Sequence, residues 1–240
     1  MSVPLGLAGE LGCLPVGEIQ NINKEQKMNN TAKATPIQYV MKAKKVAIFV
    51  DWDNLMCEIA NMQERIPEIR SFDYNKMDNI EALLHAAINN EQEELYRIFF
   101  YTAKPKNGKD LKEWETQHER NVRVKEMIEA LWEKDYCAVR LGDMKKIGNG
   151  FQQKGTDMLL GLDIAHVTYQ HLADTIIVFS KDSDMVPALK CARTNGLHVI
   201  LIDIVEGKER VSTRLRKHAD SVRKISLLEI IKDKKSKEGQ

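Results

Sequence analysis

KKVAIFVDWDN, residues 44–54, decides the fold: five consecutive apolar residues, Val46 to Val50, run directly into polar, turn-favouring ones. An apolar run of that length without polar alternation reads as a strand buried on both faces, as in a parallel sheet covered by helices. Working outward, further buried strands are expected at Leu95–Tyr101, Tyr136–Leu141, Thr175–Ser180 and Leu197–Ile204. Helical periodicity fills the gaps at Asp53–Arg65, Lys76–Asn89, Asp110–Lys134, Thr156–Tyr169 and Ser183–Asn195, and Asn195-Gly196 supplies a left-handed helix stop. Strands alternating with helices predict an α/β, Rossmann-like, three-layer fold with a mainly parallel central sheet of about five strands.

That domain is expected over residues 44–231. Residues 1–43 pass through the polar stretch NINKEQKMNNTAKATP and read as a flexible leader, because so little apolar surface cannot offset the entropy of ordering. Residues 232–240 read as a disordered, charged tail. No run of about 18 apolar residues exists and the N-terminus lacks a basic signal region, so a cytoplasmic protein without a membrane span is expected. The four cysteines form no CxxC pair and the six histidines no HxxxH pair, which removes the common zinc spacings. With 36 basic residues against 35 acidic ones, no global field holds a polyanion, so any nucleic-acid contact must be local.

In open parallel sheets, ligands bind outside the carboxyl ends of the strands, and there this sequence is acidic. Asp51 and Asp53 follow the first strand with Asn54 beside them, Asp157 lies in the first helical turn after Lys154-Gly155-Thr156, and Asp182 and Asp184 follow the fourth strand. Asp51, Asp157 and Asp182 are expected within a few ångströms of one another, and like charges that close call for a cation. An all-oxygen ligand set selects a hard ion, Mg²⁺ or Mn²⁺. Asp163 lies about 120° around the helix from Asp157 and ranks below the others as a ligand. Ser180 and Ser183 are positioned to tie down the loop after the fourth strand. Helix capping competes as an explanation for Asp53 and Asp182, both of which sit at helix starts.

Taken together, IFVDWDN, KGTDMLLGLD and FSKDSDMVPALKCARTNG resemble the NYN domain family, including its LabA-like branch, within the PIN-like superfamily. The resemblance runs from about Lys45 to Lys224. It implies a PIN-like fold and a ribonuclease that hydrolyses RNA phosphodiesters with Mg²⁺ or Mn²⁺ held by Asp51, Asp157 and Asp182, with Asp184 and Asn54 completing the site. Water activated by the metal would attack in line. Two positions depart from the family pattern, which often has glycine at both: Trp52, which would either stack on a base or pack on the sheet edge, and Lys181, which would either clamp the scissile phosphate or form an ion pair with a neighbouring aspartate and lower metal affinity. Lys154 would approach substrate or a carboxylate from the turn before Asp157. A homo-oligomer is an expectation from the resemblance alone.

Between Gly207 and Lys224 lie seven basic residues, Arg214 and Arg216 among them, against two acidic ones, and this stretch is the expected phosphate-binding flank unless it is merely a solvated helix face. The loop Lys104–Lys112 is a second candidate, while Trp114 and Trp132 read as packing or dimer contacts. RNA is the expected partner, with single-stranded DNA a further candidate. Two other functions stay open on these residues: a catalytically weak RNA-binding module that keeps the scaffold, and a haloacid-dehalogenase-like phosphatase using Asp51 and Asp53.

Overall fold

In the computed structural model, which describes residues 42–104, 125–147 and 150–238, the quoted stretch becomes β1 (Lys44–Asp51) and the start of α1 (Trp52–Arg65). Val46 to Val50 are completely buried. The cause is the two-residue period of a strand: Val46, Ile48 and Val50 enter one core with residues of α1, while Ala47 and Phe49 enter a second core on the opposite face. Both faces are covered, so neither needs polar residues.

After α1 come a short 3-10 turn (Pro67–Ser71), α2 (Met77–Ala86) and β2 (Glu93–Ala103). The helical residues 125–132 form α3. Next are β3 (Cys137–Ile147), β4 (Gly150–Lys154), α4 (Thr156–Tyr169) and β5 (Thr175–Phe179). A 3-10 turn (Ser183–Met185) leads into α5 (Val186–Thr194), followed by β6 (His198–Ile204), α6 (Thr213–Arg216), β7 (Ser221–Ile225) and α7 (Leu227–Glu238). The sheet order is β4-β3-β2-β1-β5-β6-β7. All neighbours pair in parallel except β3 and β4, which form an antiparallel edge.

The expected α/β architecture is therefore present, with six parallel strands and one antiparallel strand in place of about five. The two additional strands, GFQQK and SVRKI, carry few apolar residues and lie at the two sheet edges. An edge strand is held by one ladder and tolerates charge, so hydrophobic patterning does not reveal it. At the C-terminus α7 continues to Glu238, where the sequence reading has a tail from 232. Ile230 is buried, and Lys234 Nζ donates to Asn79 Oδ1 at 2.6 Å, anchoring the extra turns to α2. The leader over 1–41, the loop candidate over 105–112 and Trp114 lie outside the described residues. Trp132 and Cys57 are exposed, so Cys57 does not serve as a core filler. Among the described residues no helix is long and apolar enough to cross a membrane.

Among the described residues two glycines have positive φ. Gly196 (φ 92°) ends α5 as the Asn-Gly pair predicts, and Gly155 (φ 89°) turns the chain from β4 into α4. Nothing lies within 4 Å of a Cβ added at Gly155, so Gly155→Ala is opposed by backbone conformation alone. It is expected to cost about 1–2 kcal/mol, read as a lowered thermal midpoint. An unchanged midpoint would show that the turn can relax to negative φ.

Candidate active site

The strand order reverses direction between β1 and β5, so their carboxyl ends open the crevice where an open α/β sheet binds ligands. Asp51 closes β1 and Asp182 follows β5. The longer route to Asp157 runs through the β3–β4 hairpin and the left-handed Gly155, which bring the first turn of α4 to the same end of the sheet.

Asp51 is the most structured member. It caps α1, accepting from Asn54 N at 3.3 Å through Oδ1, while Ser180 Oγ donates to its Oδ2 at 3.2 Å. The same hydroxyl accepts from Asp182 N at 3.2 Å, so Ser180 joins the ends of β1 and β5. Asp182 in turn accepts from Asp184 N at 2.9 Å and caps the 3-10 turn. The capping role weighed for Asp182 is thus real, yet it occupies one carboxylate oxygen. Ser183 begins this turn, and Asp184 is exposed.

Burial pushes the Asp51 carboxyl up to about 6 from its ordinary 3.8; the bonds from Asn54 and Ser180 oppose this, and the charges of Asp157 and Asp53 add to it. Asp157 is also raised, first by partial loss of hydration and then by Asp182 and Asp184. Asp157 is therefore the member whose charge is felt from both sides. Among the described residues no three His, Cys, Asp or Glu side chains form a ready-made metal cage. The four carboxylates are coupled through their charges, Asp51 with Asp157, and Asp157 with Asp182 and Asp184.

Several supporting residues can be placed. Asn54 contributes its backbone N–H to Asp51. Lys154 ends β4 opposite Asp143, two residues before α4. Arg214 and Arg216 are exposed on α6, which packs against the turn Ser183–Met185. Arg216 also borders a recess that contains Asp203 and Lys224. Two other members of the basic stretch are used internally: Arg210 donates to the carbonyls of Ile204 and Val205, and Arg223 forms a bidentate pair with Glu93. Asp163 accepts from Tyr101 Oη at 2.9 Å and Arg140 Nε at 2.8 Å, and Tyr101 is the neighbour of Asp51 in the sheet register.

The two departures from the family pattern resolve clearly. Trp52 is 1% exposed, with its ring against Phe100 and Tyr74, so it packs and does not stack on a base. Lys181 pairs with Glu58 of α1 and donates to the Glu209 carbonyl at 2.5 Å, with Asp203 Oδ1 at 3.7 Å, and it lines the same cleft as Asp182. Of the two alternatives for Lys181, ion pairing is the one present in this structure. Sequence reasoning missed Glu58 and Asp203. Asp203 had a signal, being a lone charge inside the apolar strand HVILIDI. Glu58 had none, because a glutamate on a helix is ordinarily solvated.

Beside Asp182 opens a cleft of about 510 Å³ between α1 and the segment after β6, bordered by Asn54, Arg65 and Lys208.

The family model of the NYN domain matches residues 45–227. Among solved structures, a protein of unknown function from Vibrio parahaemolyticus RIMD 2210633 is similar to this chain at 17% identity and a TM-score of 0.47, over 76% of this chain and 93% of that one. No curated protein matches it.

Proposed function

The chain belongs to the NYN domain family of the PIN-like nuclease superfamily, and from that premise we propose that it is a ribonuclease hydrolysing RNA phosphodiester bonds at Asp51, Asp157, Asp182 and Asp184 with Mg²⁺ or Mn²⁺. The observation that carries the reading is Asp51: a partly buried carboxylate at the sheet's switch point, pushed to about 6 by burial and by neighbouring acids. Folding has gathered negative charge where its own environment disfavours it, and a divalent cation offsets that cost. The donor set is all oxygen, which fits a hard ion. Asp51, Asp157 and Asp182 would hold it, with Asp184 at the exposed rim.

When bound, such an ion supplies the charge that lowers the pKa of water and stabilises phosphoryl oxygens. The chain supplies geometry. Ser180 and the Asn54 amide fix both oxygens of Asp51, and Ser180 also sets the backbone of Asp182, so the orientation of two carboxylates follows from one hydroxyl. Asp157 and Asp184 are exposed and face incoming substrate without further opening of the fold. Lys208 at the cleft and Arg214 and Arg216 on α6 are placed to meet backbone phosphates, contacts that carry no sequence preference and weaken with salt.

The test is cleavage of a labelled single-stranded RNA with Mn²⁺, with Mg²⁺ and with chelator. Cutting is expected only with metal, and to decline as salt rises. If RNA, single-stranded DNA and a phosphomonoester all remain intact with either ion, the chain is an RNA-binding module on a nuclease scaffold. If only the phosphomonoester is hydrolysed, the chain is a phosphatase.

A further inference from the structure

We propose that Lys181 is a positioning residue for the candidate metal site: by tying the loop after β5 to α1 and to the segment after β6, it fixes Asp182 in its ligating orientation. This inference rests on the ribonuclease reading above.

Lys181 stands between two residues of the site. Ser180 bonds Asp51 and the amide of Asp182, and Asp182 bonds the amide of Asp184. The Lys181 side chain is only 12% exposed and borders the same cleft as Asp182 and Asn54. Its ammonium reaches the Glu58 carboxylate on α1, the Glu209 carbonyl at 2.5 Å and, more distantly, Asp203 Oδ1 at 3.7 Å. Three segments far apart in sequence thus meet at one nitrogen that has three protons to give. The surroundings are built to match. Gly207 is buried, and a Cβ there would run into the Glu58 carboxylate, lie 3.0 Å from the Ile204 carbonyl and 3.3 Å from Lys181 Nζ. Arg210 approaches the second carboxylate, with Nη1 3.5 Å from Asp203 Oδ2, so the two buried acids are not left to one lysine.

Removing one partner of a buried pair leaves a charge that cannot easily find water, so this contact resists opening. The loop Ser180–Asp184 is therefore pinned twice, by Ser180 to Asp51 and by Lys181 to α1 and the segment after β6. A residue that orients a metal ligand without touching the metal typically changes affinity by about 10- to 100-fold when removed. A phosphate clamp behaves differently: its loss weakens RNA binding and lowers the salt dependence while leaving metal affinity alone.

The experiment uses the full chain and three variants, Lys181→Met, Glu58→Gln and Gly207→Ala, with two readouts independent of cleavage. Mn²⁺ affinity is measured by electron paramagnetic resonance titration, and hydrogen exchange is followed at the amides of Asp182 and Asp184. We expect Lys181→Met to weaken Mn²⁺ binding by about 10- to 100-fold and to speed exchange at both amides, with Glu58→Gln and Gly207→Ala shifted in the same direction by less. Should Lys181→Met fail to fold, the two milder variants decide the matter. Glu93→Gln, which weakens the bridge to Arg223 at the first residue of β2, is the control. It is expected to lower stability without moving Mn²⁺ affinity, and an equal loss of affinity there would overturn the positioning role. Unchanged Mn²⁺ affinity and exchange in all three variants would also overturn it. Absence of Mn²⁺ binding by the parent chain would instead sink the ribonuclease reading, and amide exchange would then decide the role of Lys181 by itself.

Discussion

Asp51→Asn is expected to abolish metal-dependent RNA cleavage and, in the absence of metal, to stabilise the chain by as much as about 3 kcal/mol above pH 6. The stability half follows from linkage. Asp51 titrates at about 6 in the folded chain against an ordinary 3.8. Below 3.8 the carboxyl is protonated both folded and unfolded and contributes no difference. Between 3.8 and about 6 the folded chain holds the extra proton, so stability falls as pH rises, and above about 6 the whole penalty is present. The gap corresponds to about 3 kcal/mol at 1.36 kcal/mol per pKa unit. Asparagine removes the charge, caps a helix as well as aspartate does through its one oxygen, and turns its Nδ2 donor towards Ser180 Oγ. Denaturant unfolding at pH 4 and pH 7.5 checks this: the variant should gain on the parent only at the higher pH. Cleavage should fall at least about a hundredfold, the size of effect seen when one element of a preorganised electrostatic site is lost. A variant that cuts RNA as well as the parent would remove Asp51 from the reaction. One that is less stable at pH 7.5 would show that burial does not penalise this charge. Metal reverses the sign for the parent, because a bound cation stabilises only the folded, ionised carboxylate.

Trp52→Ala is expected to cost about 3–5 kcal/mol of stability, the usual range for truncating a buried tryptophan. The residue is 1% exposed, 5.9 Å from the Phe100 ring at a tilt and 6.4 Å from Tyr74 edge-on. Against a typical total of about 5–15 kcal/mol, that loss leaves a marginal domain, and RNA cutting should disappear because the fold does. Its indole Nε1–H is buried and donates to no partner among the described residues, so Trp52→Phe forfeits no hydrogen bond and should retain most of the stability. Denaturation midpoints of the two variants separate this from a base-stacking role. Stacking would leave the midpoint unchanged and weaken RNA binding in both.

The order of elements was legible because it rests on local pattern. Five residues buried from both sides cannot be polar, and the strand they make cannot be at an edge. The positions of Asp51, Asp157 and Asp182 were legible for a related reason: each follows a strand or opens a helix, and an α/β sheet brings such points to one end. Asp163 ranks below the others on helical geometry alone; its bonds go to Tyr101 and Arg140.

Other features exist only through partners distant in sequence. β7 is a strand because Ser221 to Ile225 align with Ile200 to Ile204 of β6, and no periodicity within SVRKI announces it. The direction of Lys181 was beyond any local reading. Its neighbours in the chain are a serine and an aspartate of the site, yet its charge is satisfied by Glu58 and the Glu209 carbonyl. By itself, then, the sequence determined the layered α/β fold and which carboxylates stand at the switch point, since burial period and element order are properties of contiguous residues. Only the tertiary structure decided that Trp52 is core, that Lys181 pairs with Glu58 and that the carboxylates are coupled through their charges, because each of these depends on which distant group desolvates or neutralises the side chain.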